Sequence, residues 1–169
     1  MTTPTTLVSV DEYLSTSYRP DVDYVDGHLE ERHGGEKSHG QMVGKLWLLL
    51  RQMPGVFAFM ETRTQVLPDR YRVPDVCAYL DQEPDQQVFT TPPYLCIEVL
   101  SPTDRMSRAL RVTQDYLQMG VNKVWIVDPL DEAVYVWDQA GRFYMVTGEI
   151  GTTDGRGVIP LGTTFGGRQ

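Results

Sequence analysis

Cysteine is scarce: Cys77 and Cys96 are the only two in 169 residues, too few to staple a fold and at no zinc-ligand spacing. Both fall inside short apolar runs, where a free thiol acts as a small hydrophobe in a reducing compartment. Lysine is also rare, limited to Lys37, Lys45 and Lys123, so arginine supplies most of the 15 basic residues. Against 23 acids this leaves a net charge of −8. A molecule with that field repels phosphate backbones, and binding nucleic acid would require a local basic cleft. His28, His33 and His39 share no zinc spacing. No apolar run approaches a membrane span, and residues 1–6 lack the regions of a signal peptide. A cytoplasmic protein with no membrane partner is expected.

What is present is ordinary globular material, 41% hydrophobic and 22% charged. Its length suits one domain over residues 1–169, with flexible tails at 1–8 and 162–169. Ser9 and Glu12 stand at capping-box spacing before a short helix. Residues 23–30 read as a hairpin turning at Asp26-Gly27, and the polar, Gly-bearing stretch 31–37 as mobile. Ser38 is expected to cap a helix over 39–52, whose stripe of Met42, Val43, Leu46, Trp47, Leu49 and Leu50 would pack on a sheet. Strands are expected over 56–61, 62–67, 72–80, 94–100, 124–127, 133–137 and 143–146, with residues 158–161 as a last docking segment. Between the fourth and fifth of these strands, residues 101–104 would turn and cap a helix ending at Gly120. Such a crossover makes its flanking strands parallel neighbours in a mixed sheet.

Two acids stand where acids seldom do. Asp75 follows Pro74 at the head of Val-Cys-Ala-Tyr-Leu, and Glu98 is flanked by Ile97 and Val99. A carboxylate in such surroundings loses hydration unless a partner compensates. Each alone reads as a salt-bridged structural acid; the pair on neighbouring strands, followed by a basic helix, reads as a divalent-cation site. Trp47 and Trp125 read as core, Glu61 as structural and Asp128 as a turn-former. His39 opens a helix, where the macrodipole favours a neutral ring.

The ordered segments Val73-Pro74-Asp75-Val76, Ile97-Glu98-Val99-Leu100-Ser101-Pro102, Tyr116 with Gly120-Val121, and Trp125-Ile126-Val127-Asp128-Pro129 resemble the Uma-type family of the PD-(D/E)XK nuclease superfamily. Asp23-Tyr24-Val25-Asp26-Gly27 and His39 resemble its upstream segments, and the likeness spans about residues 9–138. It implies an α/β restriction-endonuclease-like fold, with a central mixed β-sheet flanked by helices, and Mg²⁺- or Mn²⁺-dependent cleavage of DNA. Asp75 would bridge the metal, Glu98 would be the second ligand, and the backbone carbonyl of Val99 would complete the shell. Asp23 would stand for the family's glutamate near the hairpin, and Tyr116 would support Glu98.

The superfamily's lysine corresponds to Leu100, and its Uma-type position, four residues before the tyrosine, to Val112. Neither carries charge. Loss of one preorganised donor in acyl transfer costs about 10²–10³ in rate, which sets a scale. Arg108 lies one turn before Val112 on the same helix face and is the expected substitute, able to clamp a phosphate but not to act as a base. Alternatively Arg105, Arg108 and Arg111 solvate an exposed face. Two functions follow: a metal-dependent endonuclease with a degenerate site, or an inactive nuclease fold serving nucleic-acid binding or assembly. The aromatic alternation of residues 134–137 and 143–146, or the Trp47 helix, is expected to form a homodimer face.

Overall fold

The structure, a computed structural model, describes residues 7–152 and 154–166. Its first helix, α1 (Val10–Ser15), is capped as the sequence predicts, with the Ser9 hydroxyl accepting from the Glu12 N–H. Strands β1 (Val22–Val25) and β2 (His28–Glu31) form the predicted hairpin. Asp26 and Gly27 both have positive φ, as a two-residue turn matched to strand twist requires.

Helix α2 (Lys37–Arg51) starts earlier than predicted: Glu36 occupies the N-cap without a side-chain bond, and Ser38 lies inside the first turn. Packing fixes this start, because His39 in that turn is buried against Asp75. Strands β3 (Val56–Met60) and β4 (Thr64–Leu67) follow. The stretch 72–80, expected as one strand, is two: β5 (Arg70–Arg72) and β6 (Val76–Leu80). Pro74 between them has no N–H to give a ladder and biases the residue before it. There the chain leaves one sheet for another.

The larger sheet has six strands in the order β10-β9-β8-β7-β6-β3, with β7 (Leu95–Val99), β8 (Lys123–Asp128), β9 (Ala133–Asp138) and β10 (Phe143–Val146). Only β7 and β8 run parallel within it, joined by the crossover helix α3 (Met106–Met119). The turn at 101–104 forms, with Asp104 accepting the Ser101 N–H, but it does not cap α3. Arg105 takes that place without a side-chain bond, and Gly120, at φ 107°, closes the helix as expected. The smaller sheet orders β2-β1-β5-β4.

Alternation along the strands sorts the core onto two faces. Val76, Ala78, Leu95, Ile97 and Val99 meet Met42, Val43, Leu46 and Leu50 of α2. Cys77, Tyr79 and Cys96 lie under Val112 and Tyr116 of α3. Trp125 is buried, and half-buried Trp47 packs on the α2 face, its indole N–H donating to the Ala58 carbonyl. The hairpin of β11 (Glu149–Gly151) and β12 (Val158–Pro160), with the short helix α4 (Leu161–Thr164), adds Ile150, Ile159 and Leu161 to that core. Of the two stretches expected as tails, the described parts, residues 7–8 and 162–166, make contacts with the rest of the fold. Lys45 donates to the Thr164 carbonyl, and the Val8 N–H to the Gly27 carbonyl. Residues 1–6 and 167–169 lie outside the described residues.

Candidate active site

The register of β6 on β7 pairs Cys77 with Cys96 and Val76 with Ile97. Asp75 immediately precedes β6 and Glu98 follows Ile97 in β7, near enough for the Asp75 charge to act on Glu98. Asp75 is almost fully buried at 3% exposure and its two oxygens are separately held. Oδ1 accepts from the Arg32 guanidinium at 2.9 Å, and Oδ2 from the Val99 N–H at 2.8 Å. The His39 Nε2 lies 3.3 Å from Oδ2.

Glu98 is half-buried, and its Oε1 accepts from the Tyr116 hydroxyl at 2.6 Å. Its Oε2 accepts no hydrogen bond among the described residues. Burial, then the neighbouring Asp75 charge, pushes the Glu98 carboxyl up to about 8, against the opposing pull of Tyr116 and Arg32. The hydrogen bond to Asp75 raises His39 above its ordinary value despite burial. The shift runs opposite to the one the helix dipole would produce.

Asp23 sits one layer behind, 2% exposed. It accepts from Arg72 at 2.9 Å and from the Val73 N–H at 3.1 Å. Burial raises its pKa and Arg72 opposes this. Arg72 is a buried hub that also pairs with Glu30 at 2.7 Å and Asp115 at 2.7 Å. Arg108 is turned away from the acid pair: it donates to the Glu31 carbonyl at 3.3 Å and stands 3.7 Å from Asp23 and 3.8 Å from Asp104. Leu100 and Val112 are buried in apolar clusters, as their side chains demand. Asp128 forms the expected turn, accepting from the N–H groups of Leu130 and Asp131.

The cation that touches Asp75 is Arg32, from the stretch expected to be mobile. Polarity and paired glycines disguised it, yet the hairpin alternation carries a signal: Glu30 pairs across from Asp23, and Arg32 follows on the same side. Gly34 lets the chain return closely, since a Cβ there would meet the His39 ring at 3.2 Å. A cavity of about 310 Å³ opens onto Asp75, lined also by Arg32, His33, Gly34, His39 and the exposed Glu61.

Among the described residues no three His, Cys, Asp or Glu side chains cluster as a ready metal cage. Two carboxylates, one with an open oxygen, and the backbone carbonyl of Val99 nonetheless offer the hard donors that Mg²⁺ and Mn²⁺ prefer, with water completing the shell.

A mixed sheet carrying an Asp and a Glu at adjacent strands, backed by the crossover helix, defines a restriction-endonuclease-like nuclease fold. The chain belongs to the Uma2 family, described as "Putative restriction endonuclease", whose pattern matches residues 10–153. It is similar to a solved structure from Anabaena variabilis, described as a "putative nuclease belonging to DUF820", with a TM-score of 0.82 and 18% identity. That similarity covers 94% of this chain and 97% of the other. No curated protein matches the sequence. Family and fold together support a nuclease function, and the family suggests use of a divalent metal. No helix is long and apolar enough to cross a membrane among the described residues.

Proposed function

We propose that the protein is a Mg²⁺- or Mn²⁺-dependent endonuclease that hydrolyses DNA phosphodiester bonds. The observation carrying this reading is the nearness of Asp75 to Glu98 at the ends of adjacent strands, with the Glu98 Oε2 open. Asp75, Glu98 and the Val99 carbonyl would hold the ion, which when bound polarises the phosphate and activates water. The chain's own contribution is positional. Tyr116 fixes the Glu98 carboxylate, while Val99 and His39 fix Asp75. Asp23 acts at one remove, by orienting Arg72 and the Val73 backbone.

Leu100 and Val112 leave the family's lysine position empty of charge, and Arg32 supplies it. Arg32 already contacts Asp75, whereas Arg108 is engaged with Glu31, Asp23 and Asp104. A guanidinium can grip a phosphate through two N–H groups but cannot take a proton from water. Any base the reaction requires would therefore be a group other than Arg32.

The test combines Mn²⁺ titration by calorimetry with plasmid nicking, in the parent and in Asp75→Asn and Glu98→Gln. Binding and nicking that both variants abolish uphold the reading; unchanged nicking in Asp75→Asn overturns it. The Arg32–Asp75 ion pair favours a second reading, in which an arginine has taken the cation's place and the fold serves only binding or assembly. Absence of metal binding in the parent would select it. We further assign the homodimer contact to β10, the edge of the large sheet, where Phe143 and Met145 are 46% and 56% exposed. A monomer in sedimentation at high micromolar concentration would refute that assignment.

A further inference from the structure

Arginine is used economically in this acidic chain, and most of it is neutralised. Arg32, Arg63, Arg70, Arg72, Arg108, Arg142 and Arg156 all form ion pairs with carboxylates. Arg19, Arg51, Arg105 and Arg111 form none among the described residues. Arg105, at the N-cap of α3, and Arg111, one turn beyond Arg108, are exposed and flank it. These three, with His33, Thr103 and Ser107, line a groove of about 610 Å³. No carboxylate lines it, and every side chain on its wall can donate a hydrogen bond.

The groove is not isolated. His33 lines both it and the cavity that opens onto Asp75, so the two spaces meet at that residue. Arg108 joins the same wall to the Asp23 layer. In a protein with a net charge of −8, two uncompensated guanidinium groups on one wall, Arg105 and Arg111, concentrate positive potential at one place. An anionic ligand with repeated charges, extending past the length of one small molecule, suits that shape. We infer that this groove is a DNA-backbone site, in which Arg105 and Arg111, on either side of the engaged Arg108, grip phosphates and lead the strand toward Asp75. The inference rests on the nuclease reading for its direction, but not for the binding itself. Phosphate contacts of this kind position a strand without reading its sequence.

The experiment is fluorescence anisotropy of a labelled 20-base-pair duplex with the full chain in EDTA, across a range of NaCl concentrations. Each phosphate contact contributes about −0.9 to the slope of log K against log salt. Replacing both Arg105 and Arg111 with Ala should flatten the slope by about 1.8. The double variant Arg19→Ala/Arg51→Ala changes net charge equally but lies off the groove, and its slope should match the parent. Equal losses in both double variants, or no loss in the groove variant, would overturn the inference. Because EDTA suppresses cleavage, groove-dependent binding by a protein that never nicks DNA would sink the nuclease reading and leave the groove standing. Nicking with full binding in the groove variant would do the reverse.

Discussion

Arg72 offers the most direct test of how the layer behind the acid pair is held. Its side chain is 5% exposed and lies within 2.9 Å of Asp23 and 2.7 Å of Asp115, themselves 4% and 5% exposed. Burial alone would lower the pKa of Arg72, but Asp23, Glu30 and Asp115 more than reverse this, so it stays charged. Glu30, the third partner, is 42% exposed and contributes at the level of a surface pair, up to about 1 kcal/mol. Arg72→Ala leaves Asp23 with only the Val73 N–H at 3.1 Å and Arg108 at 3.7 Å, while Asp115 keeps Arg70 at 2.8 Å. Removing one side of a buried pair costs about 3–5 kcal/mol. For a chain of this size that corresponds to a fall in Tm of about 6–20 °C. Urea unfolding followed by tryptophan fluorescence measures the difference, with Glu30→Gln as the exposed-partner control. Adding Asp115→Asn to Arg72→Ala should cost less than the sum of the single changes, by about 0.5–3 kcal/mol. A loss in Arg72→Ala no larger than that in Glu30→Gln would refute the view that these charges are buried and mutually dependent.

Arg32→Ala should abolish metal-dependent nicking, and Arg32→Lys should restore part of it, since a lysine keeps the charge but not the fork; full activity in Arg32→Ala would exclude Arg32 from the site. Val112→Lys should raise nicking while lowering Tm, because position 112 is 2% exposed and its neighbours are apolar. Unchanged nicking with metal bound would mean that the defect exceeds one missing charge. Burial pushes the Cys77 thiol up to about 12 and the Cys96 thiol upward as well. A thiol reagent at pH 8 should therefore label neither in the native protein and both in urea; rapid native labelling would contradict the packing. Tyr116→Phe should lower nicking more than stability, since the lost hydroxyl holds a half-buried carboxylate at 2.6 Å. Nicking assays beside thermal melts would show the split, and an equal loss in both would point to a structural role alone.

Local pattern made much of the chain legible. The Asp26-Gly27 turn, the Ser9 cap and the Gly120 stop each depend on residues adjacent in sequence, and each appears where the chemistry requires. The crossover from β7 to β8 followed from one amphipathic stretch between two apolar runs. Three features were less legible. The division at Pro74 was hidden because β5 is only three residues long and is followed directly by apolar residues that lead into β6, on either side of a residue that also tolerates strand edges. Helix starts at α2 and α3 were misplaced because packing, rather than a capping hydroxyl, sets them. Arg32 was hidden for a third reason. Its partner Asp75 lies 43 residues on, and nothing in a polar, glycine-bearing stretch announces a distant carboxylate.

The Asp75 carboxylate has a consequence beyond its chemistry. One of its oxygens is tied to Arg32, which leaves the end of the small sheet, and the other to Val99 of the large sheet. A single planar group thus acts as a rivet through two plates. Any displacement of the β1–β2 hairpin would act on Arg32 and so on Asp75 directly, through this one ion pair. The position of Asp75 is thus set by both sheets at once.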